Sequence, residues 1–160
     1  MKRSILITGA SGGIGRALVS RLADDFQIYA TGRNADLLQA LPEGVHTLSG
    51  DLASDVFRTR LSEWATGVTS IVHNAGFAPN VSVEDTDSAF DRMVFETNAI
   101  APLDLTRKLQ RSLLQGAPGR VVSSRALPPT THFLGSGRTQ LPSQPWSRWF
   151  VPFRGKRMAE

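Results

Sequence analysis

Short apolar runs alternate with longer amphipathic stretches along the first 124 residues. The apolar runs predict four strands, at 4–8, 26–31, 45–48 and 68–73. Strands that alternate with helical segments form βαβ units, in which a crossover helix joins two parallel strands. The pattern therefore predicts an α/β fold built on a parallel sheet.

The amphipathic stretches predict four helices, one after each of these strands. The first begins at the glycines before Arg16 and has Ile14, Ala17, Leu18 and Leu22 at helical spacing, and the second is short, from Ala35 to Leu41. The third runs from Ser54 to Ala65, with Val56, Leu61 and Trp64 as core contacts. The fourth runs from Thr86 to Gln115, and its apolar stripe consists of Phe90, Met93, Val94, Thr97, Ala101, Leu105, Leu109 and Leu113. Pro102 lies within the last helix. Because a mid-helix proline removes a hydrogen bond, we expect a bend there that exposes polar backbone near Asn98.

A glycine-rich turn joins the first strand to the first helix. Residues 8–15 read Thr-Gly-Ala-Ser-Gly-Gly-Ile-Gly directly after an apolar run. Gly9 allows a tight turn, Gly13 lets backbone approach a phosphate, and Gly15 lets the helix pack closely on the sheet. The N-terminus of that helix offers free N–H groups and a positive dipole to an anion. The turn predicts a dinucleotide site, although glycine turns also occur where no ligand binds.

This motif specifies the fold class further. Right-handed crossovers and a glycine turn on the first strand predict a doubly wound parallel sheet of the Rossmann type, with strand order 3-2-1-4-5 and residues 4–8 in the centre. We expect this domain to span residues 1–124.

The residue after the second strand indicates which dinucleotide binds. An acidic residue there would bind the ribose 2′-hydroxyl of NAD, but Gly32-Arg33-Asn34 contains none. A guanidinium suits a 2′-phosphate, so Arg33, with Arg16 as a second candidate, predicts NADP(H) rather than NAD(H). The alternative is that Arg33 is an ordinary solvated loop residue.

Composition adds a second segment to this picture. The chain of 160 residues carries a net charge of +4, but residues 125–160 hold six of its 18 basic and one of its 14 acidic residues, together with five of nine prolines. The basic charge therefore belongs to an irregular tail, and we expect no nucleic-acid partner.

The sequence contains no cysteine, no apolar run of membrane-spanning length and no signal-peptide pattern. We expect a cytoplasmic protein without a metal site or a membrane partner.

Four motifs in order resemble the short-chain dehydrogenase/reductase family, over residues 4 to about 122. They are the glycine turn, Gly50-Asp51-Leu52, His73-Asn74-Ala75-Gly76 in place of the family's Asn-Asn-Ala-Gly, and Gly119-Arg120-Val121-Val122-Ser123-Ser124. The last of these resembles the family's fifth strand, so the resemblance implies a fifth strand at 119–124. Asn98 also resembles the helix asparagine that holds a water and completes a proton relay. His73 departs from the pattern, and we interpret it as a structural residue rather than a base or metal ligand.

The resemblance implies an oxidoreductase that transfers a hydride between NADP(H) and a small carbonyl or alcohol substrate. It implies cofactor contacts from Thr8, Gly9, Ser11, Gly13, Ile14, Gly15, Arg33, Asp51, Leu52, Asn74, Ala75 and Gly76. Without the family, Asp51 would be an ordinary turn or capping residue. The resemblance also implies catalytic roles for Asn98 and for Ser123 or Ser124, of which we favour Ser124. Members of the family are homo-oligomers, and the apolar stripe of the long helix could form such an interface.

The family's Tyr-x-x-x-Lys is missing, so the resemblance implies a Rossmann domain that is incomplete at its C-terminal end. The single tyrosine, Tyr29, falls in the second strand. We hypothesise that the gene is read out of frame after about Val122. In the shifted frame, each codon consists of the last base of one present codon and the first two bases of the next. The codons of Arg138 and Thr139 can then encode Tyr, and those of Pro142 and Ser143 can encode Lys four positions later. The surrounding residues of the shifted frame can form an amphipathic helix. The alternatives to an enzyme are a non-catalytic dinucleotide-binding module or inactive remnant and, less favoured, a nucleic-acid-binding tail.

Overall fold

The computed structural model describes residues 2–77, 79, 81–115 and 119–124. The segment 125–160, expected to be an irregular tail, lies outside the described residues. The strands are β1 Arg3–Thr8, β2 Phe26–Gly32, β3 His46–Ser49, β4 Ser70–His73 and β5 Arg120–Ser123. The helices are α1 Gly13–Leu22, α2 Ala35–Gln39, α3 Asp55–Trp64, α4 Ser88–Phe95, α5 Ala101–Lys108 and α6 Gln110–Gln115, with a 3₁₀ turn at Val83–Asp85 and a π-helical turn at Glu96–Ile100.

The described strands form one parallel sheet in the order β3-β2-β1-β4-β5. β1 pairs with β2 along its whole length, from Arg3 with Phe26 to Thr8 with Thr31, and with β4 on its other side. Both the predicted order and the central position of β1 are confirmed. The predicted strands differ from the observed ones by no more than two residues at each end.

Helices cover both faces of this sheet, because the apolar side chains of β1 alternate. Ile5 and Ile7 pack with Val19 of α1 and Leu38 of α2 on one face. Leu6 packs on the other face against residues of α3, α5 and α6. Each face carries its own buried cluster, and this two-sided burial is typical of doubly wound sheets.

The predicted core face of α3 is wrong in one residue. Val56 is 80% exposed, whereas Phe57, Leu61 and Ala65 are buried. These three residues are four apart, so they lie on one side of the helix, and Val56 points away from it. Trp64 packs at the edge of the same cluster, as expected.

The predicted long helix is divided into several parts. α4 has no buried residue, and Met93 is 43% exposed, so the first part of the predicted stripe does not enter the core. Ala101, Leu105, Leu109 and Leu113 are buried at a spacing of four residues. The division falls at the π-helical turn just before Pro102, near the expected bend.

Candidate functional site

A cavity of about 200 Å³ opens at the carboxyl ends of β1 to β4. It is lined by Gly9, Ser11, Gly12, Gly32, Arg33, Gly50, Asp51, Leu52, Ala53, Asn74, Ala75, Gly76, Phe77, Met93 and Thr97. Eight of the residues predicted as cofactor contacts are among these. Ligands bind at this edge of open α/β sheets. The structure therefore brings together most of the set that the sequence predicts.

Two glycines of the turn are required by their surroundings. Gly9 has φ +67°, and a Cβ there would lie 2.7 Å from the Cα of Ala75. A Cβ on Gly15 would lie 2.1 Å from the carbonyl oxygen of Gly9. The absence of a side chain at Gly9 and Gly15 lets the segment after β4 and the start of α1 lie directly against the end of β1, as the sequence predicts for Gly15.

The start of α1 has the features of an anion site. Its N-cap is Gly12, which provides no side-chain bond, and the first turn contains no acidic residue. The first helical bond runs from the Arg16 N–H to the Gly12 carbonyl at 2.9 Å, so the amides of residues 13–15 have no acceptor within their own helix. A Cβ on Gly13 would meet no atom within 4 Å. The turn therefore fits the pyrophosphate of a dinucleotide.

Thr8 supports the cavity from behind. It is buried, and its hydroxyl oxygen accepts hydrogen bonds from the backbone N–H groups of Asn74 at 3.1 Å and Ala75 at 3.0 Å. The Asn74 side chain donates to the carbonyl of Gly9 at 3.3 Å. The side chain of Thr8 thus shapes the 74–76 segment, and its role as a cofactor contact stays a prediction.

Arg33 stands at the end of β2, beside the glycine turn. Its side chain is exposed, and within the described part of the chain it takes part in none of the ion pairs. The preceding Gly32 is buried, and a Cβ there would lie 2.5 Å from the Ser11 hydroxyl oxygen. Sequence reasoning did not single out Gly32, although its place just before Arg33 was a usable signal.

The loop after β3 forms another wall of the cavity. Asp51 accepts a hydrogen bond from the Ala53 N–H at 2.9 Å, and the Ser54 N–H bonds the Asp51 carbonyl at 3.1 Å. These hydrogen bonds are typical of an ordinary turn residue, which is the alternative role given to Asp51 when the family resemblance is set aside. A Cβ on Gly50 would lie 2.1 Å from the Phe57 ring, so the loop sits directly on α3.

Asn98 lies on the π-helical turn and holds the loop after β4. Its side-chain oxygen accepts from the Phe77 N–H at 2.8 Å, and its side-chain nitrogen donates to the Phe77 carbonyl at 2.7 Å. Pro102 has no N–H to donate to the Asn98 carbonyl, so that oxygen lacks the usual helical partner four residues on. The π-helical turn is closed instead by a bond from the Ala101 N–H to the Glu96 carbonyl. The Asn98 side chain positions Phe77, which lines the cavity.

Ser124, directly after β5, lies beside the end of β4. Its hydroxyl is within hydrogen-bond reach of the Asn74 side-chain oxygen at 3.2 Å and the His73 carbonyl at 3.3 Å. Ser123 pairs with His73 in the ladder and is exposed. Within the described residues no hydrogen bond joins Ser124 to Asn98, so their catalytic roles stay predictions.

His73 is buried at the end of β4, and its ring bonds the Thr106 hydroxyl at 2.8 Å. Burial lowers the pKa of His73 to about 4, because the charged imidazolium would lose its hydration. The ring is therefore neutral at pH 7, as expected of a structural residue.

Two other features lie away from this edge. Tyr29 pairs with Leu6 and His46 in the middle of the sheet, and its ring stacks on His46, so it does not reach the carboxyl ends of the strands. A second hollow, of about 370 Å³, is lined by Lys2, Phe26 and Glu43 among others, at the opposite end of the strands. It contains none of the predicted site residues.

A family model for short chain dehydrogenases matches residues 3–126. The chain belongs to this family. A short-chain dehydrogenase/reductase of Pestalotiopsis microspora is 29% identical over 117 residues, which cover 71% of this chain and 44% of that protein. Sulfoacetaldehyde reductase of Chromohalobacter salexigens is 29% identical over 134 residues, which cover 76% of this chain and 53% of that protein.

Solved structures of short chain dehydrogenases superpose on the same region. A short-chain dehydrogenase from Streptomyces avermitilis matches with a TM-score of 0.67 and 26% identity, over 76% of this chain and 48% of that one. The chain thus spans about half the length of the relatives it matches. Within the described residues, no helix is long and apolar enough to cross a membrane.

Proposed function

We propose that the cavity at the carboxyl ends of β1 to β4 binds NADP(H) in preference to NAD(H). The observation that carries the proposal is Arg33, an exposed guanidinium without an ion-pair partner in the described part of the chain, at the end of β2 and on the cavity wall. A guanidinium pairs well with a ribose 2′-phosphate, whereas the 2′-hydroxyl of NAD calls for an acid at that place.

The remaining contacts are proposed from the glycine turn and from the resemblance to the family. Gly9, Ser11, Gly13, Ile14 and Gly15 would hold the pyrophosphate at the start of α1. Asp51 and Leu52 would lie along the adenine, and the 74–76 segment would lie along the rest of the cofactor. Thr8 would act indirectly, because its hydroxyl holds the 74–76 segment in place.

Replacing Arg33 tests the choice of cofactor. Arg33→Asp should weaken NADPH binding by about ten- to a hundredfold, because a hydrogen-bonded charge pair is lost and an acid is set against the 2′-phosphate. NADH binding should be unchanged or tighter. Arg60→Asp, at an exposed position of α3, makes the same charge change away from the cavity. Titration of each protein with both cofactors gives the ratio, and tighter NADH binding by the wild type would contradict the assignment.

We infer that the protein this chain represents transfers a hydride between the nicotinamide and a small carbonyl or alcohol substrate. The bound cofactor supplies the hydride. Support comes from family membership and from the name of one relative, a reductase of an aldehyde. Ser124, or the serine that the corrected reading frame places here, would hydrogen-bond the reacting oxygen, and Asn98 would hold a water of the proton relay through its backbone carbonyl.

A second candidate is a dinucleotide-binding module without catalysis. The observation that favours it is Tyr29, the chain's only tyrosine, which lies within the sheet and is not followed by lysine four residues on. The out-of-frame hypothesis reconciles both candidates, because the gene would encode an enzyme and this polypeptide would not be one. The nucleotide sequence around codon 122 decides it: a single inserted or deleted base that restores Tyr-x-x-x-Lys is expected.

A further inference from the structure

A buried arginine of α3 joins two walls of the cavity. The Arg58 side chain is 6% exposed. Its guanidinium donates to the carbonyls of Leu52 at 2.7 Å and Ala53 at 3.1 Å, in the loop after β3. It also donates to the carboxylates of Glu96 at 2.8 Å and Asp104 at 2.8 Å. The loop after β3 and the segment that carries Glu96 therefore share one charged centre.

These partners belong to opposite sides of the site. Leu52 and Ala53 line the cavity on the β3 side, and Thr97, the neighbour of Glu96, lines it on the other. Glu96 opens the π-helical turn, and Asp104 lies in α5. A shift of either wall would stretch a hydrogen bond to the same guanidinium.

The charges around Arg58 keep the centre ionised. Burial opposes the charged form of Asp104, but the hydrogen bond from Arg58 and the nearby Lys108 outweigh it and hold the Asp104 pKa below its ordinary value. Lys108 bridges Asp104 at 3.7 Å and Asp55 at 3.3 Å. Asp104 thus stays charged at neutral pH and keeps its bond to Arg58.

A purely structural role would not need this arrangement. A buried ion pair is often replaced by apolar residues of similar volume without loss of stability. Two of the four acceptors are backbone carbonyls of the loop that follows Asp51, so the guanidinium fixes the course of that loop. The Asp51 carboxylate and the Ala53 N–H complete the same loop through their own hydrogen bond.

We propose that Arg58 is a positioning residue that sets the loop at residues 51–53 against the π-helical turn and so tunes the affinity of the cavity for its nucleotide. The nucleotide part rests on the proposed function, and the coupling of the two walls does not. Arg58 is not among the residues that line the cavity. It should therefore change NADPH and NADH binding by the same factor, unlike Arg33.

Hydrogen exchange of the cofactor-free protein tests the coupling. Glu96→Gln removes a negative charge that is not in contact with the loop at residues 51–53. Arg58→Met removes the guanidinium that joins this loop to the π-helical turn. Both should speed exchange of the Ala53 N–H by about tenfold or more relative to Ile71, a core amide of β4, because Arg58→Met deletes the hydrogen bonds of the guanidinium and Glu96→Gln replaces a charge-assisted bond with a weaker neutral one. Arg60→Met, at an exposed site of the same helix, should leave that ratio unchanged. An unchanged Ala53 ratio in folded Glu96→Gln and Arg58→Met would overturn the coupling.

Cofactor titration of the same proteins tests the consequence. Arg58→Met and Glu96→Gln should weaken NADPH and NADH binding alike, by about tenfold, and Arg58→Lys, which keeps the charge but not the planar fork, should recover part of the loss. Full-affinity binding by Arg58→Met would overturn the role in affinity. Failure of the wild type to bind either cofactor would overturn the proposed function instead, and the exchange ratio would still decide the coupling.

Discussion

Single residues explain why some of the site was predictable and some was not. Gly9 and Gly15 stand in a continuous motif, so local reasoning was enough to identify them. Arg58 could not be identified in this way, because a charged residue in an amphipathic helix ordinarily faces solvent. Asp55, three residues earlier, lies 3.6 Å from the guanidinium, but the two carboxylates that it hydrogen-bonds, Glu96 and Asp104, lie 38 and 46 residues further along the chain. Only the packing of α3 against α5 and the π-helical turn brings these two to Arg58.

The buried His73 gives a prediction at this scale. The folded protein binds the His73 proton only near pH 4, whereas an ordinary histidine binds one near 6.5. Between these values the unfolded chain binds more protons, so stability falls as the pH drops from about 6.5 to 4, by up to about 1.4 kcal/mol per unit. Above that range the contribution is constant.

Replacing the ring should remove this slope. His73→Asn cannot be protonated, so its free energy of unfolding should fall less steeply over the same pH range. Urea unfolding at several pH values measures the two slopes. The slope assigned to His73 should persist in His46→Asn, because that variant keeps His73, and equal slopes for His73→Asn and wild type would contradict the assignment.

At the scale of elements, the strands were easier to predict than the helices. A buried parallel strand is a continuous apolar run and can be read directly from the sequence. The helical stripe of residues 86–115 was read as one element, but its two parts face different surroundings: α5 and α6 pack on the sheet, and α4 contributes no buried residue. Pro102 marked the division, but nothing local showed that the first part would stay outside the core.

The turn between β1 and α1 supplies a matched pair of variants. Gly13→Val should fold with a melting temperature close to that of the wild type, because a side chain there enters open space. It should nevertheless abolish cofactor binding, because the isopropyl group would occupy the place of the pyrophosphate. Gly15→Val should lower the melting temperature sharply, since its Cβ would overlap the Gly9 carbonyl. Thermal melts and NADPH titration separate the two effects, and cofactor binding by folded Gly13→Val would contradict the placement of the phosphates.

At the scale of the whole molecule, a general rule fixed the topology. Right-handed crossovers and a glycine turn on the first strand left few arrangements, and the observed order β3-β2-β1-β4-β5 is the expected one. The cavity follows from this order, because the carboxyl ends of β1 to β4 meet at one edge. The identity of the substrate does not follow from it. The residues that line the cavity are predicted contacts of the nucleotide and not of the substrate, and the chain spans about half the length of its relatives.

The last prediction concerns the activity of the 160-residue polypeptide. Hydride transfer to a carbonyl leaves an oxygen that must be protonated, and a positioned general acid typically contributes about a hundred- to ten-thousandfold to the rate. Ser124 is too weak an acid to replace a tyrosine tuned by lysine, and Tyr29 is held within the sheet. The polypeptide should therefore show negligible reduction of carbonyl substrates, measured as NADPH consumption, even at saturating cofactor. Expression from a gene whose reading frame is corrected after codon 122 should restore turnover, and changing the restored tyrosine to Phe should remove it again. Robust turnover by the 160-residue polypeptide itself would show that its proton donor lies elsewhere.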